Sequence, residues 1–259
     1  MTRHIASWVV LALTAVAASA GPAYAQRTAP AFGTTGRAGV PQTFNLTFGA
    51  FVPHGVDGRV ADDVLNVNRT FLSFDLNEFK GASFGAEWLF PIGGYVEGGA
   101  GIAFSSCRAA LPLPRCLRGR TVPSVYTDFI DGDGTEIDQD LRLRLVPVSL
   151  TMRVLPFGQD SPVQPYVGGG LTIINWRYSE FGEFIDFGQG MAIFQDSYTG
   201  SGTETGPVLL GGLRVAGDRF GVGGEVRYQE AEAALSSDFA GSKLDLGGWT
   251  YQMTIGFRF

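Results

Sequence analysis

The chain has 259 residues with 37 glycines, 20 phenylalanines, two cysteines and a formal net charge of −6, and only two of its residues are lysine. The absence of a basic face argues against nucleic acid as a partner. The glycine and aromatic content does not describe an ordinary globular enzyme; it suits a sheet with one aromatic face and one crowded face.

Met1–Ala25 reads as a secretory signal: Arg3 supplies the charge, Ile5–Ala20 is apolar, and Ala23-Tyr24-Ala25 offers a small-x-small cleavage site. The alternative, a retained anchor helix, is short of the about 20 residues a span needs. Gln26–Gln42, rich in Gly, Pro, Thr and Arg, is expected to be a flexible periplasmic tail, and residues 43–259 a single barrel domain. The mature chain has no other long apolar run, so a closed barrel is its only way across a membrane.

Reading for period-two alternation gives eight strands, at about Thr43–Val52, Ala82–Phe90, Tyr95–Ser105, Glu136–Leu155, Gln164–Tyr178, Pro207–Val215, Arg219–Gln229 and Leu244–Phe259. The connections alternate. Pro91–Gly94, Pro156–Val163 and Ala216–Asp218 are short, whereas His54–Gly81, Ser106–Thr135, Ser179–Gly206 and Glu230–Lys243 are long and polar. That asymmetry predicts an all-β fold: an eight-stranded antiparallel transmembrane β-barrel with short periplasmic turns and long extracellular loops. A soluble sandwich or lipocalin-like barrel is the alternative, but neither has a reason to sort its loops this strictly.

Parity assigns faces. Phe44, Leu46 and Phe48, then Phe84, Trp88 and Phe90, and later Phe220, Val222, Val226 and Tyr228 are expected to meet lipid. In the fourth strand the apolar parity changes between Leu141, Leu143 and Leu145 and the set Val148, Leu150, Met152 and Val154. A β-bulge at Val146-Pro147 would explain the change, because proline donates no ladder hydrogen bond; a kink between two shorter strands is the alternative.

Charge is then expected around the axis. Glu87, Glu97, Arg153, Arg214, Glu225 and Arg258 are placed in the lumen, where acids and arginines should pair and plug the periplasmic half, the alternative being a conducting filter. In the outer half, Ile173, Val208 and Leu210 are expected to point inward beside Arg142, Arg144, Arg177 and Arg227, with Gly99, Gly101 and Gly169 freeing volume. An apolar cavity rimmed by arginines would suit an anionic amphiphile, although inward Ile and Leu can equally be simple filling. Pro147 and Pro207 mark a lateral opening for such a ligand.

Outside the barrel, Cys107 and Cys116 are the only cysteines and are expected to close a small loop by a disulfide in an oxidising compartment. Arg108, Arg115, Arg118 and Arg120 cluster around them, either meeting lipid phosphates or forming a solvated face. Asp131-Gly132-Asp133-Gly134-Thr135-Glu136 has the look of a calcium loop but not its twelve-residue spacing, and Asp-Gly pairs are ordinary turn chemistry; no metal or cofactor is expected. His54 is the only histidine after the signal, and no Ser and carboxylate can be placed beside it, so no enzymatic activity is expected.

Leu145-Val146-Pro147-Val148-Ser149-Leu150, then Pro165-Tyr166-Val167-Gly168-Gly169-Gly170, with the terminal Phe259, resemble the OmpW-type and wider OmpA-like eight-stranded outer-membrane barrels. The resemblance implies a bacterial outer-membrane location and a narrow barrel that passes small hydrophobic molecules sideways into the bilayer. It also implies that Phe257 and Phe259 form the terminal signal read by the barrel assembly machinery. Expected partners are therefore outer-membrane lipids, that machinery and small hydrophobic or anionic amphipathic solutes, with the chain a monomer. A structural or surface-interaction barrel working through its long acidic loops is the other reading; a lipid-modifying enzyme is a third.

Overall fold

The computed structural model describes residues 42–108, 116–188 and 190–259; the expected signal peptide, and the expected tail up to its last residue, lie outside them. The strands are β1 (Thr43–Pro53), β2 (Leu72–Ser73), β3 (Gly81–Gly93), β4 (Val96–Cys107), β5 (Arg120–Ile130), β6 (Glu136–Val154), β7 (Val163–Asp186), β8 (Ala192–Ala216), β9 (Phe220–Gln229), β10 (Glu232–Ala234), β11 (Lys243–Asp245) and β12 (Gly248–Arg258). A short helix, α1 (Val64–Asn68), lies in the first long connection. Eight strands close a ring in the order β1, β3, β4, β6, β7, β8, β9, β12, each antiparallel to its neighbour, with β12 returning to β1. Short turns join β3 to β4, β6 to β7 and β8 to β9 at what we call the lower end.

The outward and inward faces are inverted relative to a soluble protein. On β12, Trp249, Tyr251, Met253, Ile255 and Phe257 are exposed, Met253 to 70 %, while Thr250, Gln252 and Thr254 are buried. On β1, Phe44, Leu46 and Phe48 point out and Thr43, Asn45 and Thr47 point in. Leu150 and Val167, each 62 % exposed, extend the same belt around the ring. A monomeric soluble protein does not leave so continuous an apolar surface in water, whereas a transmembrane barrel presents it to hydrocarbon. Among the described residues no helix is long and apolar enough to cross a membrane.

The fourth predicted strand needs a correction. No bulge occurs at Pro147: the register of β6 against β7 runs unbroken from Gln139↔Gly182 to Val154↔Val167. Odd-numbered residues of β6 stay inward throughout; below Pro147 they are Ser149, Thr151 and Arg153, and above it Leu145, Leu143 and Leu141. The medium outside changes, and the chemistry of each face changes with it. Where the outside is hydrocarbon the apolar side chains face out, and where it is water they retreat inward. Pro147 still leaves its mark, since the β4–β6 ladder skips from Ile102↔Val148 to Ser105↔Leu145 with no change of register. A true bulge sits on β4 instead, where the register against β3 shifts between Cys107 and Phe104 and Ser106 has φ 63°.

Several connections expected to be irregular are sheet. β7 and β8 pair continuously from Val163↔Val215 to Asp186↔Ala192, so most of the expected Ser179–Gly206 loop is a hairpin rising beyond the belt. β5 follows the line of β4 along β6, from Arg120↔Leu143 to Val125↔Asp138, so that β4 and β5 run in the same direction along one edge of β6. The predicted last strand, Leu244–Phe259, is two elements: β11 pairs with β10, and only β12 belongs to the ring.

Candidate functional site: the lumen and its upper wall

Inward polar residues from seven strands meet in the lower lumen. Arg153 of β6 places Nη2 2.6 Å from Glu87 of β3 and 2.7 Å from Glu225 of β9. Arg227 of β9 reaches Glu87 at 2.7 Å and also pairs with Glu225. The four side chains therefore form a ring of alternating charge across the lumen. Tyr166 donates to Glu225 at 3.0 Å, Gln252 donates to it at 2.8 Å, and the Arg153 guanidinium lies 4.8 Å from the centre of the Tyr166 ring. Beside them, Arg214 binds Glu97 at 2.7 Å and Gln164 at 2.8 Å. Three carboxylates face three guanidiniums, so formal charge cancels, as confinement in a poorly hydrated space requires.

Gly99 and Gly101 make this approach possible. A Cβ at Gly99 would lie 2.6 Å from Thr151 Oγ1 and 3.2 Å from Glu87 Oε1, and one at Gly101 3.2 Å from Glu87 Cβ. Gly169, expected on the same wall, faces outward against Leu209. Two expected members of the site also change place. Arg227 belongs to the charge ring rather than to an outer pocket, and Arg258 stays outside it at the lower rim, donating to Gly217 O at 3.2 Å.

Above the ring is a polar cavity of about 30 Å³, lined in part by Thr47, Ser149, Thr172 and Gln229, with room for roughly a water or two. Above that the lumen is filled with apolar side chains. Leu141, Leu143 and Leu145 of β6 and Ile174, Trp176 and Tyr178 of β7 pack against Val64, Leu65, Leu72, Leu76 and Phe79 of the first long connection. Residues 54–80, expected to be a surface loop, thus form an inserted stopper. Val208 and Leu210 do point inward, as expected, but Leu210 packs with Leu155 and Tyr166. Among the described residues, the space over the charge ring is taken up by this apolar packing.

Polar contacts anchor the stopper. Asp63 caps α1 by accepting from Leu65 and Asn66 at 3.1 Å, takes the guanidinium of Arg59 at 2.6 Å and accepts from Asp245 N at 2.7 Å. Asp245 accepts from His54 Nδ1 at 3.1 Å, Gly247 N at 2.7 Å and Val60 N at 3.2 Å. Burial alone would push the Asp245 carboxyl up; the hydrogen bond from His54 and the Arg59 charge outweigh it and hold the group below its ordinary range. His54 therefore does have a carboxylate partner, contrary to the sequence reading. Only Asp63, standing before an apolar helical turn, carried a sequence signal for this cluster.

Arg142, Arg144 and Arg177 were expected in the lumen; they point outward, as does Ile173, which is 45 % exposed. With Arg118, the three arginines line a groove of about 530 Å³ on the outer wall of β6, β7 and β8. At Pro207 the β8–β9 ladder stops, its last pair being Val208↔Gln229, and a groove lined in part by His54, Thr205, Glu230 and Asp245 opens at that seam. Cys107 and Cys116 are disulfide-bonded, and Arg115 lies outside the described residues. Asp133 accepts from the Thr135 backbone at 3.0 Å, and Asp131 from Gly132, as turn carboxylates do.

No protein-family model and no curated protein matches the chain. Among solved structures, it is similar to neisserial surface protein A, at 13 % identity over 84 % of this chain and 95 % of that one, with a TM-score of 0.43. It is also similar to the N-terminal β-barrel domain of Pseudomonas aeruginosa OprF, at 13 % identity over 85 % and 99 % of the two chains and a TM-score of 0.38. The attachment invasion locus protein Ail of Yersinia pestis stands at 13 % identity, 85 % and 98 % coverage and a TM-score of 0.38. The closed antiparallel ladder and the apolar belt of this chain carry the barrel assignment without them.

Proposed function

We propose that this chain is a bacterial outer-membrane barrel that is closed to solutes, has no enzymatic activity, and acts through the surface it raises beyond the membrane. One observation carries the reading: the upper lumen is filled by the inserted residues 54–80, directly above a charge-balanced ring of Glu87, Arg153, Glu225 and Arg227. An eight-stranded ring has little interior to spare, and here side chains use it at two levels. The sideways passage of hydrophobic molecules implied by the resemblance to OmpW-type barrels needs an empty apolar chamber. That chamber is occupied, which favours the structural or surface-interacting reading. The β7–β8 hairpin and the β5–β6 pair, which rise past the belt, are the elements that would act there.

The test is electrical. The full-length mature chain, reconstituted in planar bilayers and in liposomes, is expected to give no unitary conductance and no osmotic swelling with small sugars or fatty acids. Channel steps or ligand-dependent conductance from the unmodified chain would overturn the closed-barrel reading.

A further inference from the structure

The outer wall of β6, β7 and β8 changes character sharply with height. Going up β7, the outward residues are Leu171, Ile173, Asn175, Arg177 and Ser179; going up β6 they are Leu150, Val148, Val146, Arg144 and Arg142. The step from Ile173 to Arg177 is four residues, about 13 Å along a strand. Arg118 approaches the same groove from the turn after Cys116. Among the described residues no carboxylate lines it and none of these four arginines belongs to an ion pair. Asp140, the next outward position of β6, is not part of the lining.

Two features suit this charge to an anionic partner. Arg144 and Arg177 are directly paired across the β6–β7 ladder, and like charges in that relation destabilise a sheet unless an anion sits between them. Arg144 is also held in place, donating from Nη1 to Leu117 O and from Nη2 to Asn175 Oδ1, both at 3.3 Å, while its Nε is buried and has no partner among the described residues. Arg142 is fixed by a 3.0 Å bond to Thr121 and by the Phe181 ring 4.7 Å away. Beside the arginines, β8 contributes the hydroxyls of Ser197 and Thr199.

From this we infer that the groove is a binding site for a phosphorylated glycolipid of the outer leaflet. Guanidiniums match phosphate oxygens bidentately, and the hydroxyls suit a sugar headgroup. The occupant is a lipid rather than a free anion because, on the same strands, the outward residues below the arginines are the exposed apolar side chains Val148 and Leu150 of β6 and Ile173 and Leu171 of β7. Acyl chains would lie on Leu150, Val148, Leu171 and Ile173 while the phosphates reach the arginines. The inference rests on the membrane reading above, but not on the lumen's being closed.

The experiment uses the full mature chain in neutral maltoside micelles, with bound lipid counted by native mass spectrometry. The probes are bisphosphorylated lipid A, its dephosphorylated form, and inorganic pyrophosphate. One saturable lipid A site is expected, lost on dephosphorylation and weakened about tenfold in the Arg144→Gln/Arg177→Gln double variant. Circular dichroism and heat-modifiable gel migration check that this variant is folded. If it is not, Arg177→Gln alone, at an exposed position, serves in its place. Equal binding of the dephosphorylated lipid, or no weakening in a folded variant, would overturn the inference. Pyrophosphate binding as tightly as lipid A would also overturn it, in favour of a soluble anion. A failure of the membrane reading would show separately, as a chain that stays folded without detergent, and would remove the lipid with it.

Discussion

Arg227 on β9 and Glu87 on β3 lie 2.7 Å apart although β12 and β1 stand between their strands in the ring. The bond crosses the lumen rather than following the wall. Arg153 makes a second crossing, from β6 to β3 and β9, so four charges on three separated strands hold the cross-section together.

Removing one member of the ring leaves a buried charge without its counterpart. Glu87→Gln is expected to destabilise the barrel by about 3–5 kcal/mol. The measurement is the urea midpoint of the chain refolded in lipid vesicles. Adding Arg227→Gln should cost less than the sum of the two single changes, because the second substitution takes away the stranded charge.

On the proposed closed-barrel reading, the stopper acts independently of the ring. Phe79 is fully buried, and Phe79→Ala is expected to loosen residues 54–80 by about 3–5 kcal/mol, seen as faster amide exchange at Leu65 and Phe79 with β12 unaffected. Conductance should remain absent in this variant if, as proposed, the charge ring also blocks the lower lumen. A channel opened by this substitution alone would show that the ring does not seal.

The anchor of the stopper should be acid-labile. The folded pKa of Asp245 lies below its ordinary value, so the unfolded chain binds that proton more readily. The group therefore contributes its full stability above an unfolded pKa of about 3.9, and the contribution fades as pH falls through the lower folded value. Amide exchange of residues 54–68, followed from neutral pH down through the unfolded value of about 3.9 and below it, should accelerate at the acid end. Asp245→Asn should exchange quickly at every pH, with a flatter profile.

The disulfide constrains the β4–β5 connection and not the ladder. Reducing Cys107–Cys116, nine residues apart, or replacing both with serine, should speed tryptic cleavage at Arg108 and Arg118. Thermal unfolding of the ring, followed by circular dichroism, should be little changed. A large loss would mean that the connection supports β5 and β6 as well.

The eight-stranded ring was legible in the chain because alternation is local. Each of Phe44, Leu46 and Phe48, or Trp249, Tyr251 and Met253, differs from its immediate neighbours, and a period of two needs no knowledge of the rest of the fold. Glu87, Glu97, Arg153, Arg214 and Glu225 could be placed in the lumen for the same reason. Which of them pair could not be read, because the partners sit on strands distant in sequence.

Tertiary structure decided what lies outside and above. Parity separates two faces but does not say what medium each meets, and that medium changes near Val146 and Asn175. Below this height apolar means outward; above it apolar means inward, so the same rule sent Arg142, Arg144 and Arg177 to the wrong side. At Ile173-Ile174 both parities are apolar, and only the paired register resolves them. The insertion of residues 54–80 was equally hidden, since their apolar side chains carry no β alternation and find their partners only once the barrel has closed. The chain's local pattern sufficed for the wall; the contents of the lumen and the cationic groove depended on long-range packing and on where hydrocarbon gives way to water.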